Sequence, residues 1–413
     1  MRSRPPSDLP AGGGAPRRRE VRVGVALLSI FLAACRSSGP DPGRRIERAL
    51  ASATGALIAA QDPDGAWRSR TYGGLKDGLA LSPPILKAVT FGPDVAGADR
   101  ARRRGASFLA AQVQGDGTIS SAGPYPVYAA ATAIIVLARV PVAGGPAARD
   151  AWLRALRQGQ LTEALGWGPT DPPYGGWGDS FQPSAKPDAG RPPARPAAAD
   201  LSSTLFAVGA LRLAGVAADD PAIVKALQFV VRCQNIPEDV SDVDPAFDDG
   251  GFFFSPTVVI RNKAGAAGTD RRGCRRYHSY GSATADGLRA LLRCGLTPDH
   301  PRVRAARSWL ERHFSVATNP GTFEPGREIE GQSTYFYYCW SLAHAFRALG
   351  LRRIPTPGGM VSWAEDLSAE LIRRQRADGT WRNRSTAAKE DDPLVATALA
   401  AGALGACRMG LAP

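Results

Sequence analysis

Gln375-Arg376-Ala377-Asp378-Gly379-Thr380-Trp381 follows a helical run marked by Leu367, Leu371 and Ile372, and precedes a second apolar run from 394 to 404. Asp-Gly stops a helix and reverses the chain, because glycine accepts a positive φ and the carboxylate bonds to nearby backbone amides. The tryptophan after it is an anchor: a large ring to bury, with one N–H that needs a partner. The pattern recurs upstream as Gln61-Asp62-Pro63-Asp64-Gly65-Ala66-Trp67. Gln112 opens a copy in which Asp116-Gly117-Thr118-Ile119 keeps the turn and loses the ring. Gln234 opens another, carrying an insertion, that ends in Asp249-Gly250-Gly251-Phe252. Gln61, Trp67, Gln112, Gln375 and Trp381 therefore read as structural residues of a repeat about 45 to 70 residues long.

Helical periodicity between these turns predicts twelve helices in six pairs: 44–60 with 78–90, 99–112 with 126–140, 147–165 with 198–214, 221–234 with 279–294, 301–314 with 332–349, and 360–375 with 393–406. First members carry charges at helical spacing, such as Arg304, Arg307 and Glu311. Second members are apolar nearly all round, as in Thr204 to Leu211. Amphipathic helices alternating with apolar ones imply an outer and an inner ring, and six pairs can close on themselves. The expected fold is all-α, an (α/α)6 toroid. Connections from outer to inner helices are long, at 166–197, 235–278 and 315–331, whereas the return connections are short. Long loops in compact domains carry function, so one face of the ring is the place to look.

The Gln-x3-Gly-x-Trp units at Gln61 and Gln375 resemble the repeats of squalene cyclases and protein prenyltransferase β subunits. Tyr280-Gly281-Ser282-Ala283-Thr284-Ala285-Asp286-Gly287-Leu288 resembles the start of an inner helix in that superfamily. The resemblance spans roughly residues 44–407 and implies the toroid more directly than it implies any reaction. It also says what the reactions would require. Squalene-type cyclases protonate an alkene with an Asp-x-Asp-Asp motif, which this chain lacks. The nearest acids are Asp248 and Asp249, and Asp391 and Asp392, which remain the catalytic candidates. Asp391 and Asp392 precede the last inner helix, where carboxylates also serve as N-terminal caps. Prenyltransferases hold zinc through an Asp-x-Cys pair and a His. Cys339 and His344 lie five apart, about 140° around a helix, and cannot converge on one ion. No metal site and no cofactor are expected. The Gly-Cys-Gly-Glu-Gln run of the macroglobulin-type toroids is absent as well.

A positive segment, Arg17-Arg18-Arg19 with Arg22, precedes a short apolar run from Val23 to Leu32. That run is too short to span a bilayer as a stable helix. It ends in Leu32-Ala33-Ala34-Cys35, which resembles a bacterial lipobox and implies cleavage before Cys35 and lipidation of its thiol. Residues 1–34 then form a signal peptide, 35–43 a linker and 44–407 the toroid. The expected location is extracytoplasmic, anchored to a bacterial membrane at the periplasm or cell surface. Net charge is +13, but the basic residues are scattered with no stripe or known motif, which argues against nucleic acid. Cys233, Cys294, Cys339 and Cys407 sit in apolar runs and behave as small hydrophobes, whereas Cys274 sits in a loop and could pair with Cys233.

The long loops are rich in aromatics and acids. Trp177, Phe253, His278, Tyr280 and Tyr335 are the ligand-binding candidates, for a hydrophobic small molecule, a glycan or a protein. Three readings follow: a tethered binding or scaffold module without the superfamily's catalysis, a divergent enzyme acting on an isoprenoid or other lipid, and a polysaccharide-active enzyme. An apolar, ligand-sized cavity lined by an acid favours the second. An open polar cleft with two carboxylates about 5–10 Å apart favours the third.

Overall fold

The computed structural model describes residues 41–119, 123–183, 185–187, 198–237 and 243–411; Cys35 and the lipobox lie outside them. The outer helices are α1 (Pro42–Ala59), α3 (Ala98–Ala110), α5 (Gly145–Gln158), α7 (Pro221–Arg232), α9 (Pro301–Arg312) and α11 (Trp363–Arg374). The inner helices are α2 (Ser82–Phe91), α4 (Pro126–Leu137), α6 (Leu201–Leu213), α8 (Gly281–Arg293), α10 (Tyr335–Ala348) and α12 (Pro393–Leu411). Each inner helix packs on the inner helix before and after it, and α12 packs on α2, so the ring closes. This is the (α/α)6 toroid. Two small antiparallel hairpins, β1 (Ala266–Thr269) with β2 (Arg275–Tyr277) and β3 (Ile354–Thr356) with β4 (Gly359–Val361), decorate the connections.

Inner helices such as α4, α6 and α12 are apolar all round because they touch neighbours on both sides and an outer helix behind, whereas α8 carries Asp286, Arg289 and Arg293. In α4, Val127, Ala129, Ala130, Ala131, Ala133 and Val136 are all buried. Helix α12 is long and apolar enough to cross a bilayer, yet it forms one stave of this ring.

The repeat turns fasten the outer ring. The Gln375 amide donates to the Gly379 carbonyl and to the Ala49 carbonyl of α1, each at 2.9 Å, joining the last outer helix to the first. Gln61 does the same to Gly65 and to Ala101 of α3, and Gln234 to Gly250 and to Arg302 of α9. The indole N–H of Trp381 donates to the Leu371 carbonyl, and that of Trp67 to Leu57. The anchor's backbone N–H is held by a hydroxyl of the following inner helix: Ser82 for Trp67, Thr284 for Phe252 and Thr397 for Trp381. Gly379 has φ 82°, and a Cβ there would stand 2.4 Å from Ser52 Oγ and 2.7 Å from its carbonyl oxygen. Close approach to α1 thus demands glycine.

One copy escaped the sequence reading. Gln160 donates to the Gly175 carbonyl and to Ala222 of α7, Trp177 donates to Leu156, and Thr204 holds the Trp177 amide. The helix expected over 147–165 therefore ends at Gln158, with only a 3₁₀ turn, Glu163–Leu165, beyond the start of the new turn. Trp177, expected at a ligand site, is a fully buried seam residue instead.

Candidate functional site

The inner ring encloses a cavity of about 690 Å³, within the range of roughly 300–1,000 Å³ usual for small-molecule sites. Its wall is mostly apolar. Ile85 and Ala88 of α2, Phe206 of α6, Trp340 of α10, and Leu394, Ala398 and Leu399 of α12 all face it. An aromatic belt crosses three staves: Tyr128 packs on Phe206 at 4.7 Å between ring centres, Phe206 stacks on Trp340 at 5.4 Å, and Tyr337 flanks Trp340 at 5.7 Å. Gly402 of α12 lets Trp340 approach, since a Cβ there would lie 2.7 Å from the indole Cδ1.

A buried polar knot braces this belt. Asp286 of α8, wholly buried, accepts from the Ser202 hydroxyl at 2.6 Å, the Tyr337 hydroxyl at 2.7 Å and the Ser341 hydroxyl. Arg289 supplies the countercharge at 3.4 Å and lays its guanidinium 4.3 Å from the centre of the Trp340 ring. A buried carboxylate requires such partners, and here they tie α6, α8 and α10 together around the aromatic wall.

At the loop end the rim is polar. Glu390, 1 % exposed, accepts from the Phe336 and Tyr337 amides at the start of α10 and from the Asn383 amide. Burial pushes its carboxyl up to about 7, with those hydrogen bonds opposing the rise. Beside it Lys389 has φ 59°, the one positive value among described non-glycine residues. Its ammonium donates to the Tyr125 hydroxyl at 2.9 Å and lies over the Tyr72 and Tyr125 rings. Strained backbone of this kind persists where surrounding contacts over-determine it.

The residues chosen from sequence are not brought together here. Phe253, His278, Tyr280 and Tyr335 do not line the cavity. Phe253 packs on Tyr277 at 5.1 Å, Tyr280 is buried near Phe323, and the Tyr335 hydroxyl donates to the Val316 carbonyl. The His278 amide donates to the Gly265 carbonyl beside the β1–β2 hairpin. These rings seat the loops on the barrel end, as bulky apolar side chains between packed elements do. Asp248 pairs with Arg276 at 2.5 Å, and Asp249 accepts from Gly251, Ser279 and Trp309. Asp392 caps α12 through the Leu394 amide and accepts from the Ser69 hydroxyl, while Asp391 accepts from the Tyr72 hydroxyl. Cys233 is buried and Cys274 exposed, both as free thiols. Among the described residues no group of three or more His, Cys, Asp or Glu is placed to hold a metal ion.

No protein-family profile and no curated protein matches this sequence. Solved structures do match. The type II terpene cyclase MstE from Scytonema is 12% identical, with 90% of this chain and 100% of that chain covered and a TM-score of 0.52. A variant of it in complex with geranylgeranyl dihydroxybenzoate, its substrate, is 10% identical over 89% and 99% of the two chains, with a TM-score of 0.51. A D-mannose isomerase is 12% identical over 91% and 99%, with a TM-score of 0.52. The fold is that of the terpene cyclase toroids. A cyclase of a prenylated aromatic and an isomerase of a sugar share it, so the fold alone does not say what the cavity takes.

Proposed function

We propose that this protein is a membrane-tethered, extracytoplasmic toroid that binds a largely apolar small molecule inside its ring. The observation that carries this reading is the 690 Å³ cavity walled by Phe206, Trp340 and the aliphatic face of α12. A wall of that chemistry gains from excluding water with hydrocarbon. The four acids named as catalytic candidates do not support a polysaccharide site. Asp248, Asp249, Asp391 and Asp392 are each engaged in holding loops or helix ends.

Native mass spectrometry of the full chain, with lipid extraction of what co-purifies, tests the reading. A stoichiometric isoprenoid or other lipid is expected, and Phe206→Arg, which places a charge on the belt, should abolish its retention. An empty ring that also fails to take up added lipids sinks it. Tethering is tested separately by growth with labelled palmitate: the protein should carry label that Cys35→Ser removes.

A divergent enzyme on the same lipid is the second reading, and Glu390 favours it. A carboxyl pushed up to about 7 at the rim of an apolar cavity keeps a proton near neutral pH. Glu390→Gln separates the two. Loss of turnover of a bound lipid with retention of binding supports the enzyme, and no turnover by the parent protein leaves binding alone.

A further inference from the structure

Of the ionisable side chains that line the cavity, Glu390 is the single carboxylate, against Lys87, Lys263, Arg293, Arg347, Lys389 and Arg408. Two of these cations are paired with carboxylates, and Lys389, at the loop rim, with a neutral hydroxyl. Lys263 pairs with Glu330 at 3.3 Å, Arg408 pairs with Glu47 at 2.6 Å, and Lys389 is engaged by Tyr125. The others lie toward the C-terminal ends of their inner helices, away from the loop rim. Lys87 lies in the second half of α2, Arg293 ends α8, and Arg347 lies near the end of α10. None of the three has a carboxylate partner among the described residues. Arg293 donates to the Leu205 carbonyl at 3.1 Å and Arg347 to the Met409 sulfur at 2.8 Å. Among the described residues the Lys87 ammonium faces the Trp340 ring, 5.6 Å away. The nearby acid, Asp286, is consumed by three hydroxyls and Arg289.

Lys87 and Arg293, half-buried without countercharge, are destabilised unless an anion joins them, and Arg347 stands exposed at the same end of the ring. The neighbourhood registers that cost. Burial, then Arg293, Arg289 and Arg347, bring Lys87 down to about 7, and burial with Arg289 brings Arg293 down to about 9. Burial and the same cations hold His344 neutral, its Nδ1–H donating to the Trp340 carbonyl.

We propose that Lys87, Arg293 and Arg347 form the seat of an anionic group, a phosphate or carboxylate, on a ligand whose apolar part runs along the Phe206–Trp340 wall toward Glu390. This deepens the proposed function and rests on it for the apolar part alone. Lysine supplies a point charge and the two arginines supply fixed, directed donors, the combination that recognises a multi-oxygen anion.

The test is calorimetric titration of the full chain, held in an amphipathic polymer, with octyl phosphate, octanol and inorganic phosphate. Octyl phosphate should bind at least tenfold tighter than octanol. That ratio should fall toward one in Lys87→Met and drop severalfold in Arg347→Gln, with octanol affinity unchanged in both. Lys87→Met removes an uncompensated cation, so it should melt no lower than the parent, and Arg347 is exposed; neither variant depends on rescuing the fold. Equal binding of octyl phosphate and octanol overturns the anion seat and leaves the apolar cavity standing. Binding of inorganic phosphate with no contribution from the octyl chain keeps the seat, assigns it to a free anion, and removes the apolar reading. Binding of neither phosphate overturns the seat outright.

Discussion

The seam of the ring and its lumen are built by opposite rules. At the seam, Gln61, Gln160, Gln234 and Gln375 make the same two hydrogen bonds at four places, each to a turn glycine and to the next outer helix. At the lumen each stave contributes its own set: α2 gives a lysine, α4 a tyrosine and a threonine, α6 a serine and a phenylalanine, α8 an arginine, and α10 a tyrosine, a tryptophan, a histidine and an arginine. Repetition marks what any closed ring of paired helices requires. Individuality marks what this ring has been shaped to hold. The comparison ranks the residues by expected cost when they are changed.

The largest effect belongs to the seam. Trp381 is fully buried and its indole N–H satisfies the last turn of α11. Trp381→Ala removes both the ring and the partner of the Leu371 carbonyl, and should cost about 3–5 kcal/mol in chemical denaturation. A loss below about 1 kcal/mol would mean that the seam is redundant and that the inner ring closes without it.

The seam was also the legible part of the sequence. Asp-Gly followed by an aromatic, after a helix ending in Gln, locates three of its turns by spacing alone. The copy at Gln160 was hidden because Tyr174-Gly175 stands where the other turns have Asp-Gly, and its ring lies 17 positions on, against six from Gln375 to Trp381. Its surviving signal is Gly175-Gly176-Trp177, the counterpart of Gly250-Gly251-Phe252. The lumen was less legible for a physical reason. A helix apolar on every side gives no moment from which to tell the axial face from the lateral ones. Loop aromatics drew attention instead, and Tyr280 and Tyr335 turned out to pack under the loops. Lys87 and Arg293 did carry a signal. A cation within an inner-ring helix has few outlets besides the lumen.

An intermediate effect is expected where the lumen's rim meets the structural frame. Glu390 and Asp200, the latter the N-cap of α6, are both buried and pushed up to about 7, from ordinary values of 4.5 and 3.8. Each binds its proton more tightly in the folded chain than in the unfolded one. From pH 4.5 to 7 these two carboxyls therefore contribute a fall in stability as pH rises, while His344, held well below 6.5, contributes an opposing rise. Glu390→Gln should remove one carboxyl's share of the fall, measured by denaturation at half-unit pH steps, leaving Asp200 set against His344. An unchanged slope would show that Glu390 is ionised throughout, and the proton it was to offer a ligand would be lost with it.

The smallest structural effect, and the sharpest contrast with Trp381, is expected at Phe206. Its ring is stacked on Trp340 and tilted on Tyr128, but one side faces the cavity and has no protein atoms to lose. Phe206→Leu keeps most of the buried area on α6 and should cost under about 1.5 kcal/mol. Its consequence should fall on the ligand, because a leucine opens the belt where hydrocarbon would lie against an aromatic face. Affinity for octanol should drop severalfold while the melting curve moves little. If instead Phe206→Leu destabilises as much as Trp381→Ala, the belt is frame and the lumen holds no ligand against it. If affinity falls and stability does not, the division between repeated seam and individual lumen is a division between fold and function.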